Sequence, residues 1–391
     1  MKIDTVKGFR DFVGNNAELR EEVRKVLVDT FERYGFLPAE TPIVEYEEFV
    51  KGENSRDEAI SDIFKLRDKG KRKLALRYEF TFQLKRIAKN KKLPFKRYQI
   101  GPVFRDEPVS TNRFRQFTQC DGDCIGSTIK DEAEILKLTS DALITLGISP
   151  IVLVNNRKLL NEILEDNKVS VENKAQVLRE IDKYDKLPEN QVRELLRKLN
   201  AEKVLDSLKK GEKYFKKFES YKEIISLIEY CKAYGIKINF SPSIVRGLSY
   251  YNGSVFEIKA KGVKETIVAG GSYECCGIQA TGLSFGLERI CNIAKILKTK
   301  EKLLVVSLDQ DRAAINLAKK LRAQNKYVSL YFGKPTKALD YANSYNIKNV
   351  IFVGLKEVKK KKFLIKDMKT GKQKTLVLSK TTKKNVVLKK K

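Results

Sequence analysis

An α+β architecture is predicted from three observations. Strand-like segments follow one another through the first third of the chain, the stretch from about 157 to 235 turns helical, and from Lys302 onward strands alternate with helices. Strands on either side of the helical stretch belong to one sheet. Residues 1–156 and 236–298 are therefore two parts of a single core, 157–235 an insertion into it, and 302–391 a small α/β unit.

The elements follow in order. Behind Asn15 and Asn16, candidate caps, Leu19, Val23, Val26, Leu27, Phe31 and Tyr34 recur at three- and four-residue steps and stop at Gly35, which predicts an amphipathic helix. FLPAETPIVE is read as one extended segment, because Pro38 and Pro42 lack the N–H that a helix interior or central strand would use. Strands are predicted at Leu74–Arg77, Tyr98–Phe104 and Phe114–Ile125, a helix over Asp131–Leu146 closed by Gly147, and a buried strand at IVLV, 151 to 154. Lys, Glu, Leu and Asn then dominate with helical periodicity up to about 235. IKINF, SYYNGSVFEIKA and ETIVAGGSY return to strand character, and GLSFGLERICNIAKIL enters a helix. The last unit reads as strand LLVVSL, helix AAINLAKKLRAQ, strand YVSLYF, helix TKALDYANSY and strand NVIFVG, a largely parallel sheet with a lysine-rich solvated edge.

Composition bounds the function. With 79 Lys and Arg against 50 Asp and Glu, the net charge is +29, which favours a polyanionic partner such as nucleic acid. MKIDTVKGFRDF has neither a signal-peptide apolar core nor transit-peptide character, and no stretch approaches a membrane span, so a cytoplasmic location without membrane attachment is expected. Cys120, Cys124, Cys231, Cys275, Cys276 and Cys291 show no paired spacing; they are read as reduced thiols, and no zinc is expected. The chain contains no histidine, which excludes Ser-His-Asp and Cys-His catalysis, histidine metal ligands and an imidazole base.

The chemistry concentrates in GPVFRDEPVSTNRFRQFTQCDGDCIG, where Arg105, Arg113 and Arg115 flank a polar turn between two strand-like arms. Strand alternation can bring such guanidinium groups to one face, where they clamp phosphate oxygens. This stretch resembles motif 2 of class II aminoacyl-tRNA synthetases; GLSFGLERI at 282 to 290, with Arg289, resembles motif 3, and GFLPAETPIVE, with Pro42, the dimer-forming motif 1. SIVRGLSYYNGSVFEI at 243 to 258 is similar to the histidine signature of the histidyl-tRNA synthetases. LRYEFT at 76 to 81 is similar to their amino-acid loop, and KGFRDF and QCDGDCIG also fit, in the form usual for archaeal and eukaryotic members. The resemblance covers nearly the whole chain.

That resemblance implies a class II antiparallel catalytic sheet flanked by helices and a terminal anticodon-binding α/β domain. It implies a homodimer that consumes ATP with Mg²⁺, activates histidine as the adenylate and charges tRNA(His). Arg105 would hold the α-phosphate, Arg113 the outer phosphates, and Phe117 and Arg289 would sandwich adenine. Arg246, beside the α-phosphate and substrate carboxylate, shares the catalytic role with Arg105. Glu79, Thr81 and Gln119 would surround the α-amino group, Asp123 and Tyr251 the imidazole, with Tyr250 lining the pocket; Glu288 is a candidate Mg²⁺ ligand. The chain departs from the family pattern at Tyr78, at Ser249, at Ser272 in GGSYE where an arginine is usual, and in CCGIQA. A catalytically weak paralogue serving as a regulatory or binding subunit is the alternative, against which Arg105, Arg246, Arg289 and a complete terminal domain argue. RGLSYY disfavours the prolyl and threonyl synthetases.

Overall fold

The computed structural model describes residues 3–52, 58–110, 113–184, 187–246, 250–295 and 301–376. It divides into two compact units, residues 1–296 and 297–391.

The first helix, Gly14–Arg33, buries Val23, Leu27 and Phe31. Asn15 and Asn16 do not cap it: they sit inside its first turn, behind Val13, which offers no capping side chain. Its end follows the sequence. Gly35 adopts φ +77°, its N–H bonds the Glu32 carbonyl, and the Phe36 N–H returns to Phe31, the two bonds of a glycine-terminated helix.

The following extended segment is not one strand. Leu37–Pro38 joins the large sheet in parallel with Phe95–Phe104, whereas Val44–Tyr46 joins a small sheet with Lys73–Leu76 and Lys65–Arg67. The two prolines leave gaps in hydrogen bonding between which the chain changes sheets.

Eight strands form the large sheet, in the order Leu37–Pro38, Phe95–Phe104, Gln116–Ile125, Ile278–Gly286, Thr266–Cys275, Tyr251–Ala260, Pro150–Asn156 and Ile238–Phe240. The five pairings from Phe95–Phe104 to Pro150–Asn156 are antiparallel; the two outermost are parallel. In the strand Pro150–Asn156, Val152 and Val154 are buried, Leu153 is partly buried and Ile151 is 40% exposed, so IVLV is half-buried rather than buried. GLSFG completes the strand Ile278–Gly286, and the helix begins only at Leu287. Before that strand, Cys276 (φ +54°) and Gly277 (φ +76°) link Cys275 to its cross-strand partner Ile278. Two consecutive left-handed residues make the type I′ hairpin turn, which gives CCGIQA a structural account.

Ile129–Thr145, opened by a Thr128–Asp131 capping box, packs on one face of the sheet beside the first helix. Gly122 is required there, since a Cβ would collide with the Phe31 ring. The helical stretch comprises Arg157–Asp166, Val171–Ile181, Glu189–Arg197, Lys203–Leu208, Glu212–Phe215 and Tyr221–Ala233. Its Leu160, Val177, Leu196 and Leu227 are continuous with the core beneath the sheet. The change in composition at 157 is thus no boundary in packing.

In the second unit Tyr327–Phe332, Lys302–Ser307 and Asn349–Val353 are parallel neighbours. The lysine-rich segment adds antiparallel Leu364–Asp367 and Gln373–Thr375 at the edge, so part of it is sheet; residues 377–391 lie outside the described part. Leu304 and Val306 pack against Ala338 and Ala342, while Leu303 and Val305 pack against Leu317 and Leu321, so the central strand is covered on both faces.

Candidate active site

One face of the large sheet carries a cavity of about 880 Å³. Strand alternation builds much of its floor: Phe117, Gln119, Asp121 and Asp123 line it, while Cys120 and Cys124 pack into the core behind. Arg105 follows the neighbouring strand directly, Glu79 and Thr81 come from the loop after Lys73–Leu76, and Arg289 from the helix Leu287–Ile293. Arg113, Arg246, Tyr250, Tyr251 and Glu288 complete the set, so every residue expected to meet ATP, histidine or metal reaches the same cavity. Arg115, by contrast, pairs with Asp106 at 3.1 Å and does not line it.

Two groups of opposite charge occupy the cavity. Glu79, Asp121 and Asp123 are each at most 4% exposed. Burial pushes Glu79 up to about 7, with Arg105 opposing, and Asp121 up to about 8, with Arg97 opposing and Asp123 adding repulsion. Asp123 is also raised by burial, against the pull of Arg97 and Tyr273. Arg97, fully buried, lies 2.8 Å from the Asp123 Oδ2 and donates to the Phe80 carbonyl at 3.3 Å. Tyr273 donates to Asp123 from the other side, and Tyr250 to Glu79 at 3.4 Å. Gln119 donates to Ser284 Oγ at 2.9 Å, and its own carbonyl oxygen and one oxygen of Asp121 have no hydrogen-bond partner among the described residues. Buried acceptors left unmatched are suited to a ligand carrying N–H donors.

The arginines form the second group. Arg246 has φ +65°, a conformation that costs a non-glycine residue about 1–3 kcal/mol. Its Nη1 lies 2.8 Å from Glu257, which also accepts from Thr266 Oγ1 at 2.6 Å. Thr266 offers its carbonyl to Arg289 Nη1 at 2.6 Å, so Glu257 and Thr266 hold both arginines. Burial lowers the Arg289 pKa, and Arg113 and Arg246 lower it further. Arg105 stands 5.2 Å from the Phe117 ring centroid and donates to the Tyr78 carbonyl. Arg113, with a half-exposed side chain, and Arg105 each lie 3.8 Å from Glu107.

Among the described residues no group of three His, Cys, Asp or Glu could hold a metal ion. Glu288 receives the Thr118 N–H at 3.1 Å and pairs with Arg20 at 3.0 Å, so it could serve a cation only by sharing its oxygens. Glu107 lines the same cavity. Arg20 also donates to Thr118 Oγ1 at 2.9 Å.

Three participants escaped the sequence reading. Asp121 was signalled by the same period of two that runs through Gln119 and Asp123, and Tyr273 by its place in GGSYE; Arg97 had no local signal. Two departures are structural. Tyr78 stacks on Phe82 in a satellite core, and Ser272 faces the opposite side of the sheet, bonded to Glu132. Ser249 lies outside the described residues.

The sequence model of the family described as Histidyl-tRNA synthetase matches residues 8–290. A Histidine--tRNA ligase 1 of Bacillus cereus is 32% identical, over 97% of this chain and 99% of that protein. The histidyl-tRNA synthetase structure from Nostoc sp. PCC 7120 superposes with a TM-score of 0.83 at 23% identity, covering 96% of this chain and 97% of that one. A Bacillus halodurans C structure titled as an ATP phosphoribosyltransferase regulatory subunit/histidyl-tRNA synthetase gives 0.76 at 21% identity, covering 90% and 98%.

Proposed function

Because the chain belongs to the histidyl-tRNA synthetase family, we propose that the cavity activates histidine at its carboxylate-lined part and binds ATP at its arginine-lined part. The chain is an aminoacyl-tRNA ligase of the class II fold, a histidine--tRNA ligase. The observation that carries the site reading is the meeting of three buried carboxylates with four arginines in one cavity. A zwitterionic amino acid and a polyphosphate need opposite fields side by side.

In this reading Glu79, Thr81 and Gln119 take the α-ammonium group. Asp123, already held by Arg97 and Tyr273 and with Tyr251 and Tyr250 in the same pocket, reads the imidazole N–H, and a substrate lacking that donor forgoes a buried charge-assisted hydrogen bond. Arg105 and Arg246 flank the α-phosphate, Arg113 meets the outer phosphates, and Phe117 and Arg289 hold the adenine. The substrate carboxylate attacks the α-phosphorus, an O–P bond forms, and the bond to the bridging oxygen breaks with release of pyrophosphate. Arginines stabilise the charge that develops and no protein base is required, so a chain without histidine can perform the step. Mg²⁺ supplies further neutralisation on the outer phosphates when bound, with Glu107 and Glu288 in the nearby wall.

ATP–pyrophosphate exchange measured across the amino acids tests this reading. Histidine alone should support exchange; histidine binding without exchange would establish the regulatory alternative instead. The partner is tRNA(His), for which the net charge of +29 is suited. A cytoplasmic location fits this reaction, and among the described residues no helix is long and apolar enough to cross a membrane. Targeting a reporter fusion to any other compartment would contradict that location. We also propose a homodimer through the segment around Pro42, where Leu37, Ile43 and Val44 are 61, 41 and 43% exposed in the single chain. A fully active monomer in sedimentation at micromolar protein would contradict it.

A further inference from the structure

A second cavity, of about 500 Å³, lies in the first unit where Ser272 and Glu132 meet. Successive residues of Thr266–Cys275 point to opposite faces: Tyr273 lines the active cavity, while Ser272 lines this one. Its walls come from the start of the helix Ile129–Thr145, from Lys158, from Lys222 to Ser226, and from Asn252 and Gln279.

Most of its polar groups are already matched. Glu223 accepts from Lys158 at 2.7 Å and from Asn156 at 2.7 Å, Lys222 pairs with Glu219 at 2.7 Å, and Asn252 and Gln279 bond each other. Two buried groups are not. Glu132, 7% exposed, accepts from Ser272 through Oε1, but its Oε2 has no hydrogen-bond partner among the described residues; neither has the hydroxyl of Ser127, 6% exposed. An unmatched buried carboxylate oxygen is costly whether or not it carries a proton, since a protonated oxygen would also lack an acceptor. Burial raises the Glu132 pKa, and the Ser254 and Ser272 hydroxyls oppose that rise, although Ser254 is not in hydrogen-bonding geometry with Oε2. Only two carboxylates, Glu132 and Glu223, line the space among the described residues, and Glu223 is paired, so the donors do not suit a divalent metal. A volume of this size admits an organic group with several N–H donors.

We propose that this cavity is a second ligand site, which takes a small organic cation with a guanidinium or ammonium head, held by Glu132 Oε2 and Ser127 Oγ. It opens to solvent beside exposed Lys158, Lys222 and Gln279. The bound head group supplies the donors that the fold leaves out.

The test uses the full chain and methylguanidinium or methylammonium chloride at millimolar concentration, against sodium chloride at equal ionic strength. Calorimetry and thermal unfolding are the readouts. Saturable binding with a rise in Tm is expected for at least one of the two cations. Ser272→Arg, whose own guanidinium would fill the space, and Glu132→Gln should each weaken binding at least tenfold; Ser127→Ala replaces the second variant if it does not fold. The proposal is overturned if the unmodified chain binds neither cation saturably, which would mean a water-filled cavity. Binding of Mg²⁺ in preference to both, or undiminished affinity in Ser272→Arg, would overturn it equally.

Discussion

Arg97 and Asp123 form an ion pair at 2.8 Å with side chains 0 and 4% exposed, beneath the cavity proposed to read the imidazole ring. Asp121 and Glu79 add two carboxyl groups to the same space, and the burial that pushes the three carboxyls up is opposed by Arg97 at the two aspartates and by Arg105 at the glutamate. Removing Arg97 leaves Asp123 buried without its cation. Arg97→Met should destabilise the protein by about 3–5 kcal/mol, measured by urea unfolding. Adding Asp123→Asn should recover much of that loss, and a double variant no more stable than the single one would contradict the pairing.

Histidine binding should release protons. Glu79 near 7 and Asp121 near 8 are partly protonated in the free protein at neutral pH, and an incoming ammonium group favours their charged forms. Affinity should therefore rise from pH 6 to 8.5. The stability sign is the reverse: between the ordinary carboxyl range and pH 8 the folded state binds more protons than the unfolded chain, so these two groups favour folding less as pH rises. Calorimetry in buffers of different ionisation enthalpy reads the release directly, and heats independent of buffer would refute it.

Arg246→Ala should lower the turnover number of histidine-dependent exchange by about 100- to 1,000-fold, as loss of a charge aimed at the transition state does, with little change in the KM for ATP. Glu257→Gln, which loosens the same guanidinium without removing it, should show a smaller loss. Near-normal exchange by the alanine variant would remove Arg246 from the catalytic role.

Deleting the chain from Lys302 onward should preserve adenylate formation and impair tRNA charging, if residues 302–391 bind the anticodon. Charging by the full chain should also weaken as salt rises, because phosphate contacts release condensed counterions. Equal loss of exchange and charging in the truncated form would assign this unit to folding or assembly.

What the sequence determined by itself were features set by local backbone geometry. The helix ending at Gly35 and the strand face carrying Phe117, Gln119 and Asp123 are legible because period and turn conformation depend on neighbours in the chain, while Arg105, Arg113, Arg246 and Arg289 stand out through the motifs that carry them. Tertiary structure decided what each face meets. It brought Arg97 to Asp123, turned Ser272 toward Glu132 and away from the active cavity, divided FLPAETPIVE between two sheets, and ran the helical insertion into the common core. A buried charge is stabilised by whichever partner lies across the fold: Arg97 faces Asp123 across neighbouring strands, whereas Ser272 meets Glu132 from 140 residues away, and no periodicity in the chain encodes which partner that is.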